Sequence, residues 1–295
     1  MFELHQAGKN TYYVDCYAKV GIYTMENGEV YFIDSGTDDK EAEALFQILQ
    51  EKHWKLKAIL LTHGHSDHTG GCAFLQEHTH CEVFASSAER IFGDYPFLSP
   101  TYITGGYPPR EMQNEFLLSR KFQAKDIEDA ELPEGIKIIP LPGHNFQMIG
   151  VRTDDDVVFL ADSIYSKLML NKYHINFVYD VPAFVKTLDQ IGKMEAKLFV
   201  PSHTEPEQDI RNLVKLNKDK IDEIAKYIID FCETPITYDE LIRRLFDVYG
   251  RKLNMQQYYL VGFTVHSFLS WLKDTGCIQT LFEDNMLCWR SWHAG

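Results

Sequence analysis

Several classes of protein are excluded by what this 295-residue sequence lacks. Nowhere do 18 apolar residues run together, so no membrane-spanning helix is expected. The opening Met1-Phe2-Glu3-Leu4-His5-Gln6 has no basic segment leading into an apolar one, which argues against a secretory leader. The six cysteines (Cys16, Cys72, Cys81, Cys232, Cys277, Cys288) include no Cys-x-x-Cys pair, so neither a cysteine zinc knuckle nor a disulfide framework is suggested. Reduced thiols in a cytoplasmic protein are the expectation. Basic residues are in deficit: 29 Lys+Arg stand against 43 Asp+Glu, a formal net charge of -14. That balance repels polyanions and disfavours nucleic acid as a partner, although bound divalent cations can reverse the sign inside a site. Internal repeats and low-complexity tracts are missing as well.

What remains is an ordinary globular composition, 45% hydrophobic and 24% charged, enough for an ample core. Short β-rich runs open the chain (Thr11 to Asp15, Val20 to Met25, Val30 to Asp34), with Asn27-Gly28 placed to turn the second into the third. Ala42, Leu45, Phe46 and Leu49 then fall at helical spacing between Asp39 and His53. Leu56 to Leu61 reads as an apolar strand, and further strands are expected at Glu82 to Ala85, Ile136 to Pro140, Met148 to Arg152, Val157 to Ala161 and Lys197 to Val200. Strands mixed with helices suit sheets covered by helices. Residues 90–132, rich in aromatics and proline, are too long for a bland connector and read as a lid or pocket wall.

The pattern turns helical from about Glu207, with Ile221, Ile224, Ala225 and Ile228 at helical spacing, and Asp239 to Val248 and Gln256 to Lys273 follow. A hairpin of Cys277 to Leu281 and Met286 to Arg290 follows, turned by Glu283-Asp284-Asn285. The division expected is 1–210 and 211–295, the second a small, mainly helical unit resembling a winged helix. Its acidic and basic residues are equal in number, so it is poor material for DNA binding. A packing or homodimerisation module is the plainer reading.

The chemistry concentrates in His63-Gly64-His65-Ser66-Asp67-His68, just past the apolar strand. Divalent transition metals take neutral imidazole and carboxylate, and a catalytic site leaves a coordination position open. Residues two apart in extended backbone point the same way, so His63 and His65 can share one metal while Asp67 and His68 face a second. His144, in Leu141-Pro142-Gly143-His144, could complete the first set. Asp162, after the strand Val157 to Ala161, has two oxygens with which to bridge. His203, in Val200-Pro201-Ser202-His203, could join the second set. Each of these three taken alone would pass for a turn or capping residue.

In this order the residues resemble the metallo-β-lactamase superfamily, over roughly Tyr12 to His203 and including Ile33-Asp34-Ser35-Gly36. The resemblance implies a four-layer αββα sandwich of the α/β class with the metals at one edge of two sheets. It places His63, His65 and His144 on one metal, Asp67, His68 and His203 on the other, and Asp162 between them, with Asp34 buttressing a ligand. The expected cofactor is a pair of divalent ions, zinc first, with iron or manganese also suited to the donor set. The expected activity is hydrolysis of a small ester, thioester or related substrate by metal-bound hydroxide, with Asp67 orienting it as base.

Lactam-cleaving members commonly place a cysteine on the second metal where this chain has Asp162, so antibiotic hydrolysis is disfavoured. The aspartate set is similar to that of glyoxalase II-like thioesterases, lactonases and nucleases, and it leaves the substrate open. Many glyoxalase II-like proteins read Pro-Gly-His-Thr-Pro-Gly-Ser at the third ligand, whereas this chain reads Pro142-Gly143-His144-Asn145-Phe146-Gln147-Met148. Lys172, Tyr173 and His174 are candidate substrate contacts; the bland alternative is a solvated loop. Two other readings stand beside the hydrolase: a metal-dependent endoribonuclease or phosphodiesterase, and a metal-containing binding or regulatory module without turnover. His78 and His80 read as surface residues, and His5, His53, His266 and His293 have no partners in sequence that suggest ligation.

Overall fold

The computed structural model describes residues 2–292, so His293 lies outside the described residues. Strands β1 (Leu4–Gln6), β2 (Thr11–Val14), β3 (Val20–Thr24) and β4 (Glu29–Ile33) form an antiparallel meander in chain order, the last turn made at Asn27-Gly28 with Gly28 at φ 81. Helix α1 (Asp39–Lys52) begins where the Asp38 carboxylate accepts the Glu41 N–H and ends at His53 in the left-handed region. It buries Ala42, Leu45 and Leu49.

From there the first sheet grows by parallel strands: β5 (Lys55–Leu60), β6 (Glu82–Ala85) and β7 (Lys125–Asp126). Between β5 and β6 lie α2 (Ser66–Thr69) and α3 (Cys72–Thr79). Between β6 and β7 lie α4 (Ile91–Asp94) and α5 (Leu98–Thr104). The seven strands stand in sequence order.

A second sheet, in the order β11-β10-β9-β8, is built from β8 (Ile136–Pro140), β9 (Ile149–Thr153), β10 (Val157–Ala161) and β11 (Leu198–Pro201). Helices α6 (Lys167–Tyr173) and α7 (Val181–Ile191) connect β10 to its parallel neighbour β11. Three apolar clusters define four layers. Tyr31, Ile33, Leu60 and Phe84 of the first sheet meet Val151, Val157, Phe159 and Val200 of the second. The far face of the first sheet buries Leu45 and Leu75 of α1 and α3, and the far face of the second buries Phe184 and Leu188 of α7. The architecture is the αββα sandwich expected.

The remaining chain forms α8 (Arg211–Phe231), β12 (Ile236–Thr237), α9 (Tyr238–Val248), α10 (Met255–Asp274), β13 (Ile278–Glu283) and β14 (Met286–Ser291), the three strands in the order β12-β14-β13. The β13–β14 hairpin closes on two residues, Asp284 and Asn285, at φ 49 and 62, the positive-φ pair that matches strand twist. One apolar cluster runs from Leu160 and Phe199 through Phe184 to Leu241, Phe268 and Trp289, so these elements pack on the second sheet's helical layer.

Candidate metal centre

Strand ends of both sheets deliver the chemistry-bearing side chains to one edge. β5 runs out at Leu60, and two further residues bring the chain to His63. His65 is extended (φ -69, ψ 148) just before α2, which puts Asp67 and His68 on that short helix. Only glycine fits where α2 ends: a Cβ on Gly70 would sit 1.8 Å from the Thr37 carbonyl oxygen. Asp162 leaves β10 after a register shift between Phe159 and Ala161, with Ala161 at φ 51, an irregularity of the kind that re-aims a side chain.

His144 follows Gly143, whose φ is 124 and whose Cβ position lies 2.3 Å from the Phe184 backbone nitrogen. Gly143→Ala is therefore expected to cost about 3 kcal/mol or more in strain and overpacking. A Tm indistinguishable from wild type would contradict this packing.

The side chains gather in two groups. One potential ligand atom each from His63, His65 and His144 lie within 4.8 Å of one another, and so do those of Asp67, His68, Asp162 and His203. Nδ1 of His65 stands 3.0 Å from Nε2 of His63 and 2.9 Å from Nε2 of His144. Asp162 touches both groups. Its Oδ1 is 3.3 Å from His68 Nε2, while its Oδ2 is 3.3 Å from His203 Nε2 and 3.6 Å from His144 Nε2. Asp67 Oδ2 is 3.2 Å from His203 Nε2.

Each imidazole is oriented from behind. Nδ1 of His68 donates to Asp34 Oδ2 (2.7 Å), Nδ1 of His203 to the Tyr17 carbonyl (3.0 Å), and Nδ1 of His144 to the Phe177 carbonyl (3.0 Å) and the Tyr165 hydroxyl (2.7 Å). His63 Nδ1 faces Thr62 Oγ1 at 3.1 Å, and His65 Nε2 faces the Tyr102 hydroxyl at 3.1 Å. With the outer nitrogens held in this way, the inner nitrogens are turned toward one another, the arrangement found around bound metals. In the neutral first group the His65 lone pair stands about 3 Å from each of the other two, and such lone pairs repel unless a shared cation satisfies them. Nε2 of His68 and Oδ1 of Asp162 are moreover buried without a hydrogen-bond partner. The donor set and its geometry thus fit divalent cations.

Electrostatics separate the two groups. Burial lowers the pKa of His63, His65 and His144, and for His63 and His65 neighbouring imidazoles add to it, bringing His65 to about 3, so the first group is neutral. Burial acts in the same direction on His68 and His203, but the carboxylates beside them prevail and raise both. Burial also disfavours the charge on Asp67, yet His68 and His203 hold its carboxyl down to about 2. A cation entering the second group must therefore displace protons.

Glu89, which sequence reasoning passed over, ties the ligand loops together. Its carboxylate accepts from Gly64 N (2.9 Å), Asn145 Nδ2 (2.9 Å) and Gln147 N (2.8 Å). Burial nevertheless pushes its carboxyl up from 4.5 to about 7 against those donors. Because the folded state holds this proton more tightly than the unfolded chain does, stability from this group is greatest below about 4.5. It falls by roughly 3 kcal/mol as pH rises through 7. The wild-type minus Glu89→Gln difference in unfolding free energy, measured against pH, should show that slope; a flat difference would contradict it.

A cavity of about 380 Å³ opens on the two groups, lined by His65, Asp67, His144, Asp162 and His203. Residues Ser99, Ile103, Phe116 and Leu117 supply one wall, so the 90–132 segment is a pocket wall. Of the three candidate substrate contacts, only Tyr173 lines this cavity. Lys172 and His174 lie beside it: the Lys172 ammonium is over the Tyr173 ring (4.8 Å), and the His174 ring stacks on Tyr249 at 4.2 Å. His5 pairs with Asp15, His53 and His80 cap helices, His78 stacks on Phe74, and His266 stacks on Tyr238; none joins the site.

Residues 14–203 match the family model of the metallo-beta-lactamase superfamily. The chain belongs to that superfamily. Among similar curated members of the superfamily are hydroxyacylglutathione hydrolases from Shewanella loihica (30% identical over 148 residues, 49% of this chain and 46% of the relative) and Rhodopseudomonas palustris strain HaA2 (48% over 131 residues, 44% and 42%). The chain thus spans about half the length of the curated relatives it matches. Two solved members share the fold over nearly the whole chain: a beta-lactamase domain protein from Burkholderia ambifaria (TM-score 0.76, 13% identity, 98% of this chain and 94% of that one) and a metallo-beta-lactamase family protein from Thermus thermophilus (TM-score 0.72, 18% identity, 99% and 98%).

Proposed function

We propose that the protein is a dinuclear metal-dependent hydrolase acting on a small ester, thioester or related substrate. The observation that carries this reading is Asp162 at the cavity wall, whose Oδ2 lies 3.6 Å from His144 in one candidate ligand group and 3.3 Å from His203 in the other, while its Oδ1 lies 3.3 Å from His68. His63, His65 and His144 would hold one divalent ion and Asp67, His68 and His203 the other, zinc fitting this donor set well and iron or manganese also being accommodated. When bound, such ions polarise a scissile carbonyl and bring a water within reach of deprotonation near neutral pH.

The chain's own residues do the rest. Asp67, ionised at neutral pH and facing the cavity, accepts a hydrogen bond from the attacking water and orients it, the base role assigned to it. The backing partners of the five histidines fix ring orientation, so little reorganisation accompanies the reaction. Hydroxyacylglutathione hydrolase relatives favour a thioester, while the run Asn145-Phe146-Gln147 beside the third ligand departs from the Thr-Pro-Gly common in glyoxalase II-like proteins.

The test is turnover on a panel of ester, thioester, lactone and phosphodiester substrates, using protein purified without chelators. Hydrolysis of a carbonyl substrate, lost on dialysis against EDTA and restored by zinc, manganese or iron, is expected. Cleavage confined to phosphodiesters would move the assignment to the nuclease reading, and full metal loading without turnover would move it to a binding module.

A further inference from the structure

The cavity is lined unevenly in charge. Its carboxylates are Asp67 and Asp162, both in the candidate metal groups, and its only lysine or arginine among the described residues is Arg251. Between them the walls are apolar, from Ile103 and Leu117 through Met169 and Phe177 to Leu260 and Val261. The chamber is thus completed by the C-terminal helices.

Arg251 is placed by its backbone. Gly250, at φ 60, ends the turn after α9, and Arg251 N–H donates to the Phe246 carbonyl at 2.9 Å. The guanidinium donates through Nη1 to the Lys172 carbonyl, and through Nη2 to the Gln257 amide oxygen at 3.1 Å when that amide is turned to give its nitrogen to the Lys252 carbonyl. These contacts use two of the five N–H donors. Among the described residues no carboxylate lies within ion-pair distance of Arg251. A half-buried guanidinium held in position without a counter-charge, beside the neutral amides of Asn254, Gln256 and Gln257, is matched by a carboxylate in its fork.

Resting on the hydrolase reading above, we infer that the substrate is an ester or thioester whose apolar acyl group ends in a single carboxylate, bound by Arg251. One cation matches a monoanion, and a chamber of about 380 Å³ is at the small end of small-molecule sites.

The test uses the full-length, metal-loaded protein. Calorimetry compares straight-chain dicarboxylates from succinate to dodecanedioate with monocarboxylates of equal length, and turnover is measured on the para-nitrophenyl monoesters of the same acids. One dicarboxylate length should bind about tenfold tighter than its monocarboxylate, with a correspondingly lower KM for its monoester. Arg251→Gln should erase that difference, and Arg251→Lys, which keeps the charge, should retain part of it. Equal affinities in the wild type, or a preference that survives Arg251→Gln, would overturn the inference. Dicarboxylate preference without turnover would contradict the hydrolase reading alone, and turnover of neutral esters without that preference would contradict this one alone.

Discussion

Asp162→Ala is expected to lower turnover roughly a thousandfold and to empty at least part of the metal centre. Charge stabilisation by paired metal ions is worth several kcal/mol, and each ~1.4 kcal/mol is tenfold in rate. Asp162 contacts both groups, at 3.3 Å from His68 and His203 and 3.6 Å from His144. Asp162→Asn keeps the shape and removes the charge; it should fail almost as badly, because a neutral amide cannot offset two dications. Both variants are checked by steady-state kinetics alongside metal analysis. Near-wild-type turnover in either would mean that the two groups do not act as one centre.

The second large effect falls on a residue that faces no substrate. Asp34, buried at the end of β4, accepts from Thr62 N (2.7 Å), Thr62 Oγ1 (2.8 Å) and His68 Nδ1 (2.7 Å). Removing such a backing carboxylate costs about 10- to 100-fold in metal affinity. Each buried donor left without its acceptor costs a further 1–3 kcal/mol, roughly, in stability. Asp34 also sits at φ 67, where asparagine is accommodated more readily than alanine. Tm should therefore fall in the order wild type, Asp34→Asn, Asp34→Ala, and competition with a chromogenic chelator should place zinc affinity in the same order. Equal affinity in wild type and Asp34→Asn would show that His68 needs no charged partner.

The dense run from His63 to His68 was legible because strand-end geometry gathers neighbours in sequence; the periodicities of α1 and the C-terminal helices were legible because burial on one face writes them, and β10 because burial along its whole length leaves an unbroken apolar run. His144, Asp162 and His203 could be assigned only through their order along the chain. Tyr102, Tyr165 and Glu89 left no local signal. Tyr102 reaches His65 across 37 residues and Glu89 reaches Gly64 across 25, contacts that exist only once α4, α5 and the β8–β9 loop have packed. Helix α7 is a different case. Val181, Phe184, Leu188 and Ile191 stand at helical spacing behind an Asp180 cap and Pro182, a readable pattern hidden by the loop-like segment before it. Arg251 was unreadable as a site residue because its place in the cavity depends on how the turn between α9 and α10 docks against α6.

Everything proposed for the site depends on His63, His65, Asp67, His68, His144, Asp162 and His203 holding two ions together. Elemental analysis of protein purified without chelators, set against its concentration from amino-acid analysis, addresses this most directly. The account predicts about two divalent transition-metal ions per chain, dropping sharply in His65→Ala and Asp162→Ala. A wild-type chain that binds no transition metal, even after incubation with zinc, manganese and iron, would contradict it.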